Sequence, residues 1–156
     1  FGEVESLISE STKNESHNIH DPNLDVSIKF KNNIICNLIA LDSKNYGIAE
    51  IEIFGTKNRI HLDLITNKIK YYKMSDKLQD YKRLVETKSP IICSIPSTDI
   101  RLTIKNLVDS VERKKKILCN GLDGYYSLEL VIASLISNKQ KMRIKLPIKN
   151  YKNFSI

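Results

Sequence analysis

Between Asp25 and Lys73 the chain reverses four times through short polar intervals: Lys31-Asn32-Asn33, Ser43-Lys44-Asn45, Gly55-Thr56-Lys57-Asn58 and Thr66-Asn67. Asparagine and glycine tolerate the left-handed backbone that tight reversals need. The intervening segments are too short for helices and rich in β-branched and aromatic residues, which suit a pleated, half-buried surface. Asp25 to Phe30 alternates strictly, with Val26, Ile28 and Phe30 on one side. Ile34 to Asp42, Tyr46 to Phe54, Arg59 to Leu64 and Lys68 to Lys73 follow. This punctuation predicts five successive strands in one antiparallel meander.

Val4 to Glu10 reads as an earlier strand, separated from the meander by a polar loop over Ser11 to Asn18. In Ile34 to Leu41 one side carries Ile34, Cys36, Leu38 and Ala40, and the other carries Ile35, Ile39 and Leu41. A strand wetted on one side alternates apolar with polar, so a doubly apolar strand is expected to be covered twice. The expectation is that the chain's own helices cover one face and something else covers the other.

The grammar changes after Lys73. A polar connector, a short strand near Leu84 to Lys88, and a segment between Pro90 and Pro96 lead to Ser97-Thr98-Asp99, a helix N-cap cluster. Ile100, Ile104, Leu107, Val108 and Val111 recur at helical spacing, and Arg113 to Lys116 supplies the positive charge favoured at a helix C-terminus. Asn120-Gly121 turns into a second helix from about Asp123 to Asn138, and a last strand from Met142 to Leu146 stops at Pro147. Residues 149–156 form a tail. The fold class expected is α+β: an open, mainly antiparallel sheet with helices on one face and the other face available for oligomerisation.

A chain of 156 residues suits one compact domain, and its apolar (41%) and charged (28%) fractions are those of a globular protein. No run of eighteen apolar residues spans a membrane. The net charge of +7 permits anionic partners without requiring them. Three cysteines (Cys36, Cys93 and Cys119) sit unpaired in apolar surroundings, as buried free thiols of a reducing cytoplasm do. The chain begins at Phe1, and its only methionines are Met74 and Met142, which is expected of a piece of a longer chain.

Candidates for chemistry are few. Lys68 to Lys73 interleaves basic residues with Tyr71 and Tyr72, a pattern that nucleic-acid binders use, but acidic residues lie throughout, which favours a solvated strand face. Gly121-Leu122-Asp123-Gly124 has the outline of a nucleotide clamp, yet Asp123 would repel phosphate, so helix capping is the better reading. His17, His20 and Asp21 could bind a metal on a helix, but Pro22 follows and the segment reads as a loop, so no metal is assigned. His61 stands alone on a strand. No phosphate-cradling glycine motif and no G-x-S-x-G nucleophile elbow occurs.

Five segments in order resemble the C-terminal domain of the glucose–fructose oxidoreductase / inositol dehydrogenase / MocA (Gfo/Idh/MocA) oxidoreductase family: Asp25 to Asn33, Tyr46 to Ile60, Lys105 to Ser110, Cys119 to Gly124 with its helix, and Lys145 to Pro147, with Phe1 to Ser6 similar to the family's opening strand. Asp42 to Tyr46 resembles members that act on sugars for surface polysaccharides. The resemblance implies residues 1–148 as the substrate and oligomerisation domain of an NAD(P)-dependent sugar, or nucleotide-sugar, oxidoreductase, whose N-terminal Rossmann domain binds the cofactor and is absent here. It also implies a sugar substrate, a homodimer through the open sheet face, no nucleic acid or membrane partner, and Asn45 and Tyr46 as substrate-binding residues. The family's Glu-Lys-Pro lysine would lie before Phe1. Its D-x-x-x-H pair is not matched, since Asp21 is followed four residues later by Asp25. No catalytic or cofactor-binding residue is therefore carried over, and NAD(P) is not expected to bind this chain alone. The rivals are a non-catalytic dimerising module of the same fold and a basic module for anionic polymers.

Overall fold

The computed structural model describes residues 1–11, 22–41, 46–75, 83–88, 100–113 and 115–149. They divide into two compact units, 1–42 with 106–156 and 43–105, and carry two antiparallel sheets and two helices. The α+β fold holds, but the single five-strand meander does not.

In the first unit, β1 (Val4–Ser11), β2 (Leu24–Phe30), β3 (Ile35–Leu38) and β8 (Ile144–Lys145) form a sheet in the order β3-β2-β1-β8. Asn33 makes the β2–β3 turn with a left-handed φ of 66°. α2 (Gly121–Gln140) packs on this sheet against β1, β2 and β8. The strict alternation of β2 explains the core: Val26 and Ile28 join Leu7, Ile144 and Ile148 against Ala133 and Ile136 of the helix. Asn120 caps α2, its Oδ1 accepting from the amides of Leu122 (2.8 Å) and Asp123 (3.1 Å), while Asp123 Oδ2 accepts from the Asn120 amide at 2.8 Å. This reciprocal cap is the reading preferred above for Gly121 to Gly124.

Three expectations are corrected in this unit. Among the described residues Ile34 to Leu41 holds only the four-residue edge strand β3, whose Ile35 is 65% exposed, and Asp42 lies outside them. α1 (Ile100–Arg113) has the expected apolar spacing but buries none of its residues, so α2 alone covers the sheet. Cys119 is exposed at the mouth of the loop before α2, not buried, and Cys36 is half-buried; both are free thiols. Cys93, the Ser97 to Asp99 cluster and the prolines at 90 and 96 lie outside the described residues, as does most of the 149–156 tail.

The second unit holds β4 (Glu50–Phe54), β5 (Asn58–Asp63), β6 (Lys68–Met74) and β7 (Leu84–Thr87), paired in chain order. Asn67 takes the left-handed conformation, φ 56°, as its turn requires. Asp63 organises that turn by accepting from the amides of Ile65 (3.0 Å) and Thr66 (2.9 Å) and from the Thr66 hydroxyl. The expected strand over Tyr46 to Phe54 is regular only from Glu50; residues 46–49 lead into it, with the Ala49 carbonyl accepting from the Leu64 amide at 2.8 Å.

Candidate functional site

Cross-strand register decides what each face of a sheet displays, because directly paired residues share a face. In the sheet beneath α2, Leu7, Ser9, Val26 and Ile28 face the helix. Their neighbours Ile8, Glu10, Asp25 and Ser27 therefore project to the open face. The register places Ile8 opposite Ser27, Glu10 opposite Asp25, and Ser27 opposite Asn37 of β3. Further along, Lys29 pairs with Glu5 at 2.9 Å, and Ser6 lies in register with both Lys29 and Lys145. So the open face is mixed, with Ile8, Ile35 and Ile39 standing among Glu10, Asp25, Ser27, Lys29 and Asn37, and not the continuous apolar surface expected from Ile34 to Leu41. The strand that carried the apolar run is an edge strand, and the middle of the face is filled by the polar alternates of β1 and β2.

At one end of this face lies a shallow groove of about 330 Å³, lined among others by Ile8, Glu10, Asp25, Ser27, Asn37 and Ile39. Asp25 Oδ1 accepts from the Ala40 amide at 2.8 Å, which fixes that carboxylate and draws the segment after β3 across the groove's edge. Ile8 and Ile39 supply an apolar patch among two carboxylates, a hydroxyl and an amide.

The other sheet separates its chemistry more sharply. One face carries Ile51, Ile53, Ile60, Leu62, Ile69, Tyr71 and Val85, with Asn58, Lys73 and Thr87 at one end; the other carries Glu50, Glu52, Phe54, Arg59, His61, Asp63, Lys68, Lys70, Tyr72 and Glu86, with Met74 and Leu84. On the charged face Glu52 is the hub. It accepts from Arg59 Nε and Nη2 (2.8 Å for the latter) and sits 2.5 Å from His61 Nδ1. The Arg59 guanidinium lies 4.9 Å from the Tyr72 ring centre and 5.5 Å from that of Phe54. The hydrogen bonds from Arg59, then those from His61, hold the Glu52 carboxyl below its ordinary range, and Thr66 does the same to Asp63. His61 is thus not solitary. The signal for its pairing was available as opposite-sign residues at matching alternate positions, 52 with 59 and 61, across a glycine turn.

Of the substrate-binding residues expected from the family resemblance, Tyr46 is exposed at the start of the segment entering β4, while Asn45 lies outside the described residues, as do His17, His20 and Asp21. Among the described residues no group of three or more His, Cys, Asp or Glu side chains gathers around a point where a metal could sit. Lys68, Lys70 and Tyr72 share their face with four acids, which is the solvated strand face anticipated above. Arg113 and Lys115 both pair with Asp109, at 3.6 and 3.8 Å. The described residues do not fit a dinucleotide: no glycine-rich turn joins a parallel strand to a helix, and the free amides at the start of α2 are taken by Asn120, with Asp123 beside them. Among the described residues no helix is long and apolar enough to cross a membrane.

Residues 1–146 match the family model described as "Oxidoreductase family, C-terminal alpha/beta domain". The chain belongs to the Gfo/Idh/MocA family. Solved structures with the same fold as this Gfo/Idh/MocA domain include the WlbA dehydrogenase of Bordetella pertussis in complex with NADH and UDP-GlcNAcA (17% identity, TM-score 0.64, covering 94% of this chain and 40% of that one). A levoglucosan dehydrogenase in complex with NADH and levoglucosan is 12% identical, with TM-score 0.67 and coverage of 94% and 46%. The UDP-N-acetylglucosamine 3-dehydrogenase GnnA of Acidithiobacillus ferrooxidans is also 12% identical, with TM-score 0.65 and coverage of 89% and 42%. Comparison with curated proteins gives no match. The chain therefore spans less than half the length of these three structures, and identities this low establish shared fold alone.

Proposed function

We propose that residues 1–148 are the substrate and assembly domain of an NAD(P)-dependent sugar or nucleotide-sugar oxidoreductase, with the dinucleotide held by a separate nucleotide-binding domain of the complete enzyme. The observation that carries this reading is the family match over residues 1–146, in a chain whose described residues offer no dinucleotide cradle. Fold relatives bound to NADH with levoglucosan or UDP-GlcNAcA support the substrate class. Tyr46, exposed and next to Asn45, remains available to contact that substrate. Unpaired thiols at Cys36 and Cys119 fit work in the cytoplasm, where sugars for surface polysaccharides are made.

The test joins residues 1–148 to the nucleotide-binding half of levoglucosan dehydrogenase and follows NADH formation with levoglucosan. Turnover in the fusion, with no NADH fluorescence change for the 156-residue chain alone, is the expected result. An inactive but folded fusion, or tight NADH binding by the chain alone, would overturn it.

A second reading, a non-catalytic dimerising module of the same fold, is favoured by one observation: Ile51, Ile53, Ile60, Leu62 and Ile69 lie together on one face of this sheet, with Ile51 exposed at its margin. In the complete enzyme the same face would make the homodimer. Because Glu10, Asp25 and Lys29 interrupt the open face of the α2-backed sheet, we assign the assembly role to this second sheet.

A further inference from the structure

Ser6, on β1, is a hydroxyl enclosed by basic residues. Leu7 and Ser9 face α2, so Ser6 points to the other side of the sheet, yet it is only 3% exposed. Lys29 of β2 and Lys145 of β8 occupy the positions directly opposite it on the two neighbouring strands. Arg143, just before β8, donates from Nη1 to Ser6 Oγ at 3.3 Å.

The balance of donors and acceptors decides what such a cluster can hold. Glu5 pairs with Lys29 at 2.9 Å and accounts for that charge. Neither Arg143 nor Lys145 meets a carboxylate among the described residues, and Lys145 has no polar partner there at all. Arg143 spends one of its N–H groups on Ser6, and the Ser6 hydroxyl, having accepted that bond, has no acceptor for its own proton among the described residues. Buried polar groups are nearly always bonded, so a buried donor with nothing to bond is a pointer to a ligand.

Every unspent group in the cluster is a donor, so its complement is an acceptor, and two uncompensated positive charges make that acceptor an anion. The planar fork of Arg143 matches two oxygens of an oxyanion, and Lys145 adds a point charge. A carboxylate would have both of its oxygens taken by the fork. A phosphate keeps further oxygens for Lys145 and for the Ser6 hydroxyl.

We propose that Ser6, Arg143 and Lys145 form a binding site for a phosphate group, with the Lys29–Glu5 pair at its rim. Free phosphate and the terminal group of a phosphate monoester share this chemistry. The proposal stands independently of the oxidoreductase reading.

Titration calorimetry of the 156-residue chain with inorganic phosphate at low ionic strength tests it. Saturable binding is expected, weakening as sodium chloride is added. Lys145→Gln and Ser6→Ala should each weaken it about tenfold, whereas Lys145→Arg keeps the charge and should retain it. Lys116→Gln removes the same charge from an exposed residue outside the cluster and should change nothing. Circular dichroism confirms that each variant folds, and the exposed position of Lys145 keeps the test open should Ser6→Ala unfold. Methyl phosphate separates the two sources: binding as tight as that of inorganic phosphate assigns the site to monoesters, and weaker binding assigns it to the free ion, either supporting the proposal. No saturable binding of either probe, equal weakening by Lys116→Gln and Lys145→Gln, or a folded Ser6→Ala variant that binds phosphate normally would overturn it.

Discussion

The amide of Ser9, on β1, donates to Oγ of Ser137, on α2, at 2.9 Å, although the two residues lie 128 positions apart. The Ser9 hydroxyl in turn donates to the carbonyl of Ser134, and the Ser137 hydroxyl to that of Met142. Both residues are almost wholly buried. The helix is thus seated on the sheet by directed bonds as well as by apolar contact, which fixes its position along β1 more tightly than interchangeable aliphatic side chains would.

Replacing Ser137 with alanine leaves the buried Ser9 amide without its acceptor. The expected cost is about 1–3 kcal/mol, or several degrees of melting temperature for a chain of this length. Ser127→Ala, on the exposed part of the same helix, removes only a hydroxyl bonded to the carbonyl one turn back and should cost little. Equal melting temperatures for the two variants would show that the seating bonds contribute nothing.

Glu129 has a comparable role at the other end of the chain. Its buried carboxylate accepts from the Ile148 amide at 2.8 Å, so the segment after β8 is tied to α2 and Ile148 enters the core. Glu129→Ala should raise amide hydrogen exchange at Ile148 and its neighbours and lower stability by about 1–3 kcal/mol, whereas Glu129→Gln keeps an acceptor and should lie between. Exchange rates near Ile148 that do not move in either variant would contradict the tie.

The Glu52 hub predicts an acid-sensitive second sheet. Its folded carboxyl titrates below the ordinary glutamate range, because Arg59 first and His61 second hydrogen-bond the charged form. Such a group contributes stability that is complete above the unfolded value of about 4.3 and is lost as pH falls through the lower folded value. Asp63, lowered by Thr66, acts in the same direction. Melting temperature should therefore fall as pH is lowered through and below about 4, and Glu52→Gln should flatten that limb while costing about 1 kcal/mol or less at pH 7, since the pair is partly exposed. A variant with an unchanged acid limb would show that the network is electrostatically idle.

Much of the fold is written in local pattern. The asparagine turns, the strict alternation of β2, and the Asn120 to Asp123 cap each follow from chemistry within a few residues, and each appears in the structure. The hairpins β2–β3 and β4–β5 were legible from their turns, but the division into two sheets was not, because whether β3 pairs onward with β4 depends on partners chosen over the whole chain. The doubly apolar run Ile34 to Leu41 misled for a related reason: apolar residues on both sides of a strand signal burial only when that strand is central, and β3 is an edge. The groove was invisible in the sequence since Glu10, Asp25 and Asn37 are brought together only by register. The family motifs, by contrast, were legible despite the low identities to solved relatives, and the family match spans the segments that carry all but the last residue of them.

The assembly role proposed for the second sheet has a direct consequence. Its apolar face runs from Ile51 on the outer strand β4 to Val85 on the opposite outer strand β7, and these two side chains are exposed while Tyr71 between them is buried. A stable homodimer removes on the order of 800 Å² from water per partner, and its core is depleted of charge. Ile51→Lys with Val85→Lys puts like charges at the two margins of the face, the second beside Lys73, without touching Tyr71. Light scattering at micromolar concentration should then report a dimer for the unaltered chain and a monomer for the double variant, with melting of the monomer becoming independent of concentration. Since both positions are exposed, circular dichroism should be unchanged. A monomeric unaltered chain would exclude association through this face at that concentration, and a variant that still dimerises would place the interface elsewhere.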